Sequence, residues 1–190
     1  MDDKKLFVEE IKKIHNETWR NACLEMVDKI PDYFWVVPAS SSGKFHPAFA
    51  LGDGGLVRHS LMVCKIALDL LRGEVFVAEN ETNEDAIRIA ALFHDCIKQG
   101  VKSNGHTAFE HPIEAMKFVR ENLKDKVDSK WLSIIAGAIN SHMGKWTTSN
   151  YSSYVLTKPQ SEFEKLIHIA DYVASRKYTA LADEFKEEQG

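Results

Sequence analysis

Apolar residues recur along this chain at three- and four-residue intervals, a spacing that predicts helices almost throughout. Leu6, Ile11, Ile14, Trp19, Cys23 and Met26 keep it over a first helix from about residue 4 to 29, which Pro31 ends. A second helix is predicted over about Leu56–Leu71, and a third over Glu84–Lys98 with Asn83 as its cap. A fourth starts near Glu110, with Pro112 in the first turn, where proline is tolerated. A fifth spans about Ser129–His142, and a last runs from Ser161 to about Lys186. Between them lie irregular stretches: YFWVVPASSSGKFHPAFALGDGG, QGVKSNGHTAF and GKWTTSNYSSYVLTKPQ. Loops of that length inside a domain more often serve function than decorate it. VFVA, at residues 75–78, is the only strand candidate. The pattern is all-α: a compact helical bundle with long functional loops, residues 1–190 forming a single domain.

Composition narrows the class of function. A chain of 190 residues buries a substantial core without staples. A net charge of -4 argues against a protein that coats nucleic acid, though a local basic patch in a cleft is compatible with it. Cys23, Cys64 and Cys96 are odd in number and lack CxxC spacing, which suggests buried thiols in a reducing compartment. MDDKKLFVEE has no apolar core of a signal peptide, and no run approaches the roughly 18 apolar residues of a membrane span. The expected location is cytoplasmic, with no membrane partner.

The informative departures are polar residues on faces that should point inward. His59 shares a stripe with Val63, Ile66 and Leu70; His94 with Ile87, Ala90 and Ala91; His142 with Ile135, Ala138 and Ile139. Asp171 follows Phe163 and Ile167 and precedes Ala174. One core histidine is usually just a hydrogen-bonded residue, and the His94-Asp95 dipeptide has about 0.5 chance occurrences in this composition. Several such residues on different helices are another matter. A buried carboxylate needs compensation, and a shared divalent cation satisfies the whole set at once. Mixed imidazole and carboxylate donors suit Mn, Fe, Zn, Co or Ni better than Mg or Ca.

The segments GGLVRHSLMV (His59), AALFHDCIKQG (His94, Asp95), FEHPIEAMKFV (His111), AINSHMGKW (His142) and KLIHIADYVASRKY (Asp171) resemble the HD-domain superfamily of metal-dependent phosphohydrolases. The resemblance spans about Val37–Tyr178 and implies a first helix packed on an HD core of about residues 37–186. The ordered series His, His-Asp, His, His, Asp is similar to the six-ligand pattern of the dinuclear members. It implies that His59, His94, Asp95 and Asp171 hold one metal. Asp95 would bridge to a second, held by His111 and His142. Two divalent transition-metal ions are therefore expected, Fe or Mn first, with Co, Ni and Zn as further candidates. Two metals bridged by a carboxylate would hold a water or hydroxide as nucleophile near neutral pH, which makes Asp95 the first catalytic residue to test.

Lys98, one turn past the pair, either contacts a phosphate or leaving oxygen or is a solvated helix-end cation. His46 and His106 are loop candidates for substrate phosphate, and Arg58 and Lys145, each beside a ligand, are candidate clamps. Trp146 and Tyr151 are placed to contact a base, whereas Tyr33, Phe34 and Trp35 are expected in the core. His15 and His168 have no place in the motif. HIADY and the His142-x-Gly144 step resemble small HD hydrolases of dinucleoside polyphosphates and related nucleotides. VVPASSSGKFHPAFALGDGGLVRHS resembles the start of the HD domain in a bacterial 3′-5′ exoribonuclease family, whose OB-fold module has no strand-rich counterpart here. The expected substrate is a small nucleotide, with a single-stranded RNA or DNA end as the second reading. A diiron oxygenase and a non-catalytic nucleotide sensor are further readings, and a homo-oligomer is compatible with all of them.

Overall fold

Two helices, not one, open the chain. The computed structural model describes residues 2–40, 43–103 and 105–180. α1 spans Asp3–Ile11 and α2 spans Glu17–Val27. The predicted single helix breaks because the Asn16 side chain accepts the Trp19 N–H as a new N-cap, and because Asp85, far along the chain, accepts the backbone N–H groups of His15 (2.7 Å) and Asn16 (2.9 Å). The apolar spacing runs through the break, so periodicity alone joined the two.

The remaining helices are α3 (Gly55–Arg72), α4 (Glu81–Phe93), α5 (His111–Leu123), α6 (Ser129–Ser141) and α7 (Glu162–Ala174), with short 3-10 turns at Asp32–Trp35, Ala48–Ala50 and Lys177–Ala180. α4 starts one turn earlier than expected, because Asn80 and not Asn83 is the cap, and it ends at Phe93 before the predicted Lys98. Ser161 and Glu164 form the capping box that starts α7. α7 ends at Ala174, short of Lys186, and the chain beyond 180 lies outside the described residues. VFVA is not a strand; among the described residues the only β-pairing is an isolated bridge between Ser149 and Ser152. The all-α expectation holds. No described helix is long and apolar enough to cross a membrane.

α3 is the central helix and packs on α4 and α7; α6 bridges α4, α5 and α7; α1 and α2 lie outside on α3, α4 and α5. Phe7 of α1 makes edge-on ring contacts with Phe34 (5.6 Å), Trp35 (5.5 Å) and Phe93 (5.5 Å). Burying one such ring contributes about 2 to 3 kcal/mol. The contact fixes the end of α4 immediately before His94. Phe34 is fully buried and Trp35 packs on the core, as expected for that aromatic segment. The three cysteines are free and buried.

The long segment ahead of α3 is pinned at its base. The Ala39 N–H donates to the Ala50 carbonyl (3.0 Å) and the Leu56 N–H to the Val37 carbonyl (3.0 Å). A Cβ on Gly55 would lie 2.3 Å from the Ala50 carbonyl oxygen, so only glycine allows α3 to start against this loop. The loop thereby carries Phe45 and His46 over the C-terminal side of α7.

Candidate metal centre

Helix ends bring most of the candidate ligands together. His59 projects from the buried face of α3 and Asp171 from α7. His94 and His142 are the C-caps of α4 and α6, and His111 is the first residue of α5. Asp95 follows α4 in a turn, so the pair is arranged by a helix terminus and not by an unbroken helix.

The six side chains converge. Asp95 Oδ2 lies 3.3 Å from His94 Nε2 and 3.8 Å from His59 Nε2, while its other oxygen, Oδ1, lies 3.1 Å from His111 Nε2 and 3.7 Å from His142 Nε2. Asp171 Oδ1 is 3.0 Å from His59 Nε2 and 3.7 Å from His94 Nε2. The two carboxylate oxygens of Asp95 thus face two different groups of imidazoles. Three sets have ligand atoms mutually within 4.8 Å: His59, His94 and Asp95; His94, His142 and Asp171; and Asp95, His111 and His142.

The tautomers follow from the backbone. Nδ1 of His94, His111 and His142 each lies 2.7 Å from a carbonyl three residues earlier, at Ala91, Ala108 and Ile139. A carbonyl only accepts, so each Nδ1 carries the hydrogen, and in its neutral form each ring turns the lone pair of Nε2 inward. His111 Nε2 and His142 Nε2 then face each other at 3.1 Å beside a carboxylate oxygen. His94 Nε2 and Asp95 Oδ1 are buried without a hydrogen-bond partner. Electron pairs converging on electron pairs in a dry site are costly unless a cation lies among them. The donor set of imidazole nitrogen and carboxylate oxygen fits a divalent transition ion.

Charge states bear on this ring by ring. For His94, burial lowers the value, but Asp95, the hydrogen bond to it and Asp171 outweigh burial and hold this ring above the ordinary histidine range, so in the metal-free site a proton takes the place a cation would fill. Burial pushes the Asp95 carboxyl up, but the Lys98 ammonium and then His94 outweigh it and hold the group well below the usual carboxylate range. Asp171 is likewise pushed up by burial and held low by its hydrogen bond to His59 and by His94. Burial, with His94 and His111 adding to it, lowers His142 to about 3, which keeps it a neutral donor. His46 is lowered to about 4 by burial and by His59.

A family model for the HD domain matches residues 56–176. The chain belongs to the HD-domain family. Members of this family are in general metal-dependent phosphohydrolases, and the His/Asp cluster of this HD domain supplies side chains able to bind a divalent metal. No curated protein and no solved structure matches the chain.

The other candidate residues of this HD domain divide sharply. Lys98 is no solvated helix-end cation: its ammonium pairs with Asp95 Oδ2, and the side chain lines a cleft of about 410 Å³ over the cluster. His46 and Trp146 line the same cleft, and the His46 ring lies 5.3 Å from that of His59. Arg58 does not reach it. Its guanidinium donates to the Phe49 (2.5 Å) and Leu51 (3.0 Å) carbonyls and to Asp3 (2.5 Å), so it fastens the loop to α1 and is no phosphate clamp. Neighbouring residues of a helix point about 100° apart, and Arg58 faces away while His59 faces in. His106 is exposed, and Thr107, not His106, lines the cleft. Lys145 is exposed, with Nζ 5.3 Å over the Trp146 ring. Tyr151 is 98% exposed, away from the cleft lining.

Four residues have roles that the motifs did not assign. Tyr33 accepts the Gln99 N–H and donates to the Gly100 carbonyl (3.0 Å each), fixing the turn that carries Lys98. His168 Nδ1 donates to the His142 carbonyl (2.7 Å). Gly144 makes room for that ring: its φ is +64°, and a Cβ there would lie 2.0 Å from His168 Cε1. Arg176 lines the cleft from beyond the end of α7. The one sequence signal for His168 and Gly144 was their spacing from Asp171 and His142.

Proposed function

We propose that this HD-domain protein is a dinuclear metal-dependent phosphohydrolase that cleaves a phosphoester or phosphoanhydride of a small nucleotide. One observation carries the reading: the two oxygens of Asp95 face separate imidazole groups, His59 with His94 and His111 with His142, and three of these four rings commit Nδ1 to a carbonyl. His59, His94, Asp95 and Asp171 would hold one ion, and Asp95, His111 and His142 a second, with Asp95 as the bridge. Fe and Mn are the first candidates, then Co, Ni and Zn. Bound ions of this kind supply a water of lowered pKa and offset charge on a phosphoryl group.

The chain's own groups do the rest. Carbonyls at Ala91, Ala108 and Ile139 lock three imidazoles, so the cage needs no reorganisation before reaction. Lys98 reaches the cleft beside Asp95 and is placed to orient a phosphate oxygen and to neutralise charge on a departing one. His46, neutral at ordinary pH, offers a hydrogen bond from the roof of the cleft. A volume of about 410 Å³ falls in the range of small-molecule sites, roughly 300 to 1,000 Å³, and gives room for one nucleotide.

The test is a phosphate-release screen of nucleoside mono-, di- and triphosphates, dinucleoside polyphosphates and single-stranded oligonucleotides, with Mn, Fe, Co and Ni, in air and without oxygen. Metal-dependent hydrolysis of a small nucleotide that persists without oxygen is expected. Preference for oligonucleotide ends would move the assignment to an exonuclease. Products that require oxygen would make it an oxygenase, and binding without turnover under every metal a sensor.

A further inference from the structure

The cleft has a floor and a wall of different chemistry. Its floor is His111, Asp171 and Lys98, charged and polar. Its wall is a continuous stack of flat groups from three separate segments. Trp146, after α6, lies nearly parallel to Tyr172 of α7, at 5.9 Å and 17°. The Arg176 guanidinium covers the Tyr172 ring at 4.4 Å and lies 5.5 Å from the ring of Phe45, in the loop before α3. All four side chains line the cleft. Three of them are large apolar groups left open to water, with Phe45 53%, Trp146 42% and Tyr172 39% exposed.

Exposed aromatic surface concentrated at the mouth of a polar site needs a partner to cover it. The partner must carry an anionic group for the floor and a flat π-surface for the wall, and one molecule must reach both. Sugars and inorganic polyphosphates lack the flat face; a nucleoside phosphate has both. Stacking reads a π-face and not an edge pattern, and every base has one. The residues that make the wall are Phe45, Trp146, Tyr172 and Arg176; Tyr172 is already stacked by Trp146 and Arg176 and holds the stack together, while the flexible Lys145 and Lys44 ammonium groups that lie 5.3 Å over Trp146 and Phe45 can give way to a base.

We propose that this wall is the nucleobase subsite of the cleft, that it recognises bases by stacking, and that it therefore selects nucleoside phosphates over base-free phosphates with little choice among bases. The proposal rests on the phosphohydrolase reading for the site of the phosphate, and names what holds the other end of the substrate. Tyr172 and Trp146 are specificity residues here, and Arg176 and Phe45 complete the stack.

Calorimetric titration tests it, using AMP, GMP, CMP and UMP against ribose 5-phosphate on the metal-loaded full chain. All four nucleotides are expected to bind within about tenfold of one another, purines tightest, and ribose 5-phosphate roughly ten- to a hundredfold more weakly than AMP, the size of one base–aromatic stack. In Trp146→Ala and Tyr172→Ala the ratio of AMP to ribose 5-phosphate affinity should collapse toward one, while Tyr172→Phe keeps it. Circular dichroism melts confirm that each variant is folded. Equal binding of AMP and ribose 5-phosphate by the wild type would overturn the proposal. So would a ratio that survives both alanine variants, or a preference for one base above a hundredfold. Phosphate release from every ligand is followed in the same samples. Absence of hydrolysis with the base ratio intact counts against the phosphohydrolase reading; hydrolysis without a base ratio counts against the subsite.

Discussion

Asp85 and Asp95 lie near opposite ends of α4, and both are almost fully buried, at 2% and 1% exposure. Around Asp85 every neighbour is a donor. Its oxygens accept two backbone N–H groups, and His15 Nδ1 lies 3.0 Å away. Nearby, Arg88 is matched by Glu84 (2.6 Å) and Glu10 (3.6 Å), and Glu10 also pairs with Lys13. Opposite charges meet here, even though Arg88 Nε and Nη1 lack a hydrogen-bond partner, and no lone pair is turned on another. Around Asp95 the neighbours, apart from Lys98, are imidazole nitrogens, and three of the four rings have their Nδ1 hydrogen committed to a carbonyl. One buried carboxylate joins helices, and the other lies in a cluster able to bind a cation. The difference between structure and site lies in the polarity of the neighbours, not in the burial of the acid.

The largest effect is expected from removing the acid at the second place. Asp95→Asn keeps the shape and loses the charge. Hydrolysis should fall by more than the roughly 10²- to 10³-fold cost of a single transition-state contact, with loss of at least one bound ion, read by kinetics and by elemental analysis. Full metal content in the Asp95→Asn variant would show that the two buried acids do not differ in this way.

At the first place the loss should fall on stability alone. Asp85→Ala removes the acceptor of two backbone N–H groups at the α1–α2 break and is expected to cost about 1 to 3 kcal/mol in urea unfolding, with metal content unchanged. Loss of metal in that variant would show that the two regions are not separate.

Smaller effects sharpen the support around Asp95. His168→Ala removes the hydrogen bond to the His142 carbonyl, and Gly144→Ala would push a methyl into the His168 ring. Each should weaken metal binding about 10- to 100-fold in chelator competition. Unchanged affinity in both would mean that His142 needs no such support.

The mildest probe is acid. His142 at about 3 and His46 at about 4 sit below the ordinary histidine value of 6.5, so the unfolded chain takes up more protons. Their contribution is complete above about pH 6.5 and is lost as pH falls toward 4 and then 3. Asp95 and Asp171, held low, add losses of the same sign below the usual carboxylate range. His94, held above the ordinary value, works in the opposite sense, but His142, His46 and His59 outnumber it, so the urea midpoint of metal-free protein should drop between pH 7.5 and pH 5; a flat or rising midpoint would contradict the assigned charge states.

Much of this was legible in the sequence, for reasons that can be named. His59, His94, His142 and Asp171 stood out because each interrupts an apolar face, and the structure brings them to one point with Asp95 and His111. The helices were legible where start residue and periodicity agreed, as at Ser129 and Ser161. The break between α1 and α2 was not, because its cause is Asp85, a residue seventy positions away that no local pattern contains. Arg58 misled because adjacency in sequence is not adjacency in space on a helix. The wall of Phe45, Tyr172 and Arg176 could not be read because three segments contribute to it. Trp146 alone was visible, from its place just after His142.

The number of metals per chain is the quantity on which the bridging role of Asp95 turns. Elemental analysis of the wild-type protein, purified without chelator and supplied with Fe or Mn, measures it directly. Two ions per chain are expected, falling together with activity on chelation and returning together. One ion per chain would contradict the bridging role of Asp95, and none would contradict the site itself.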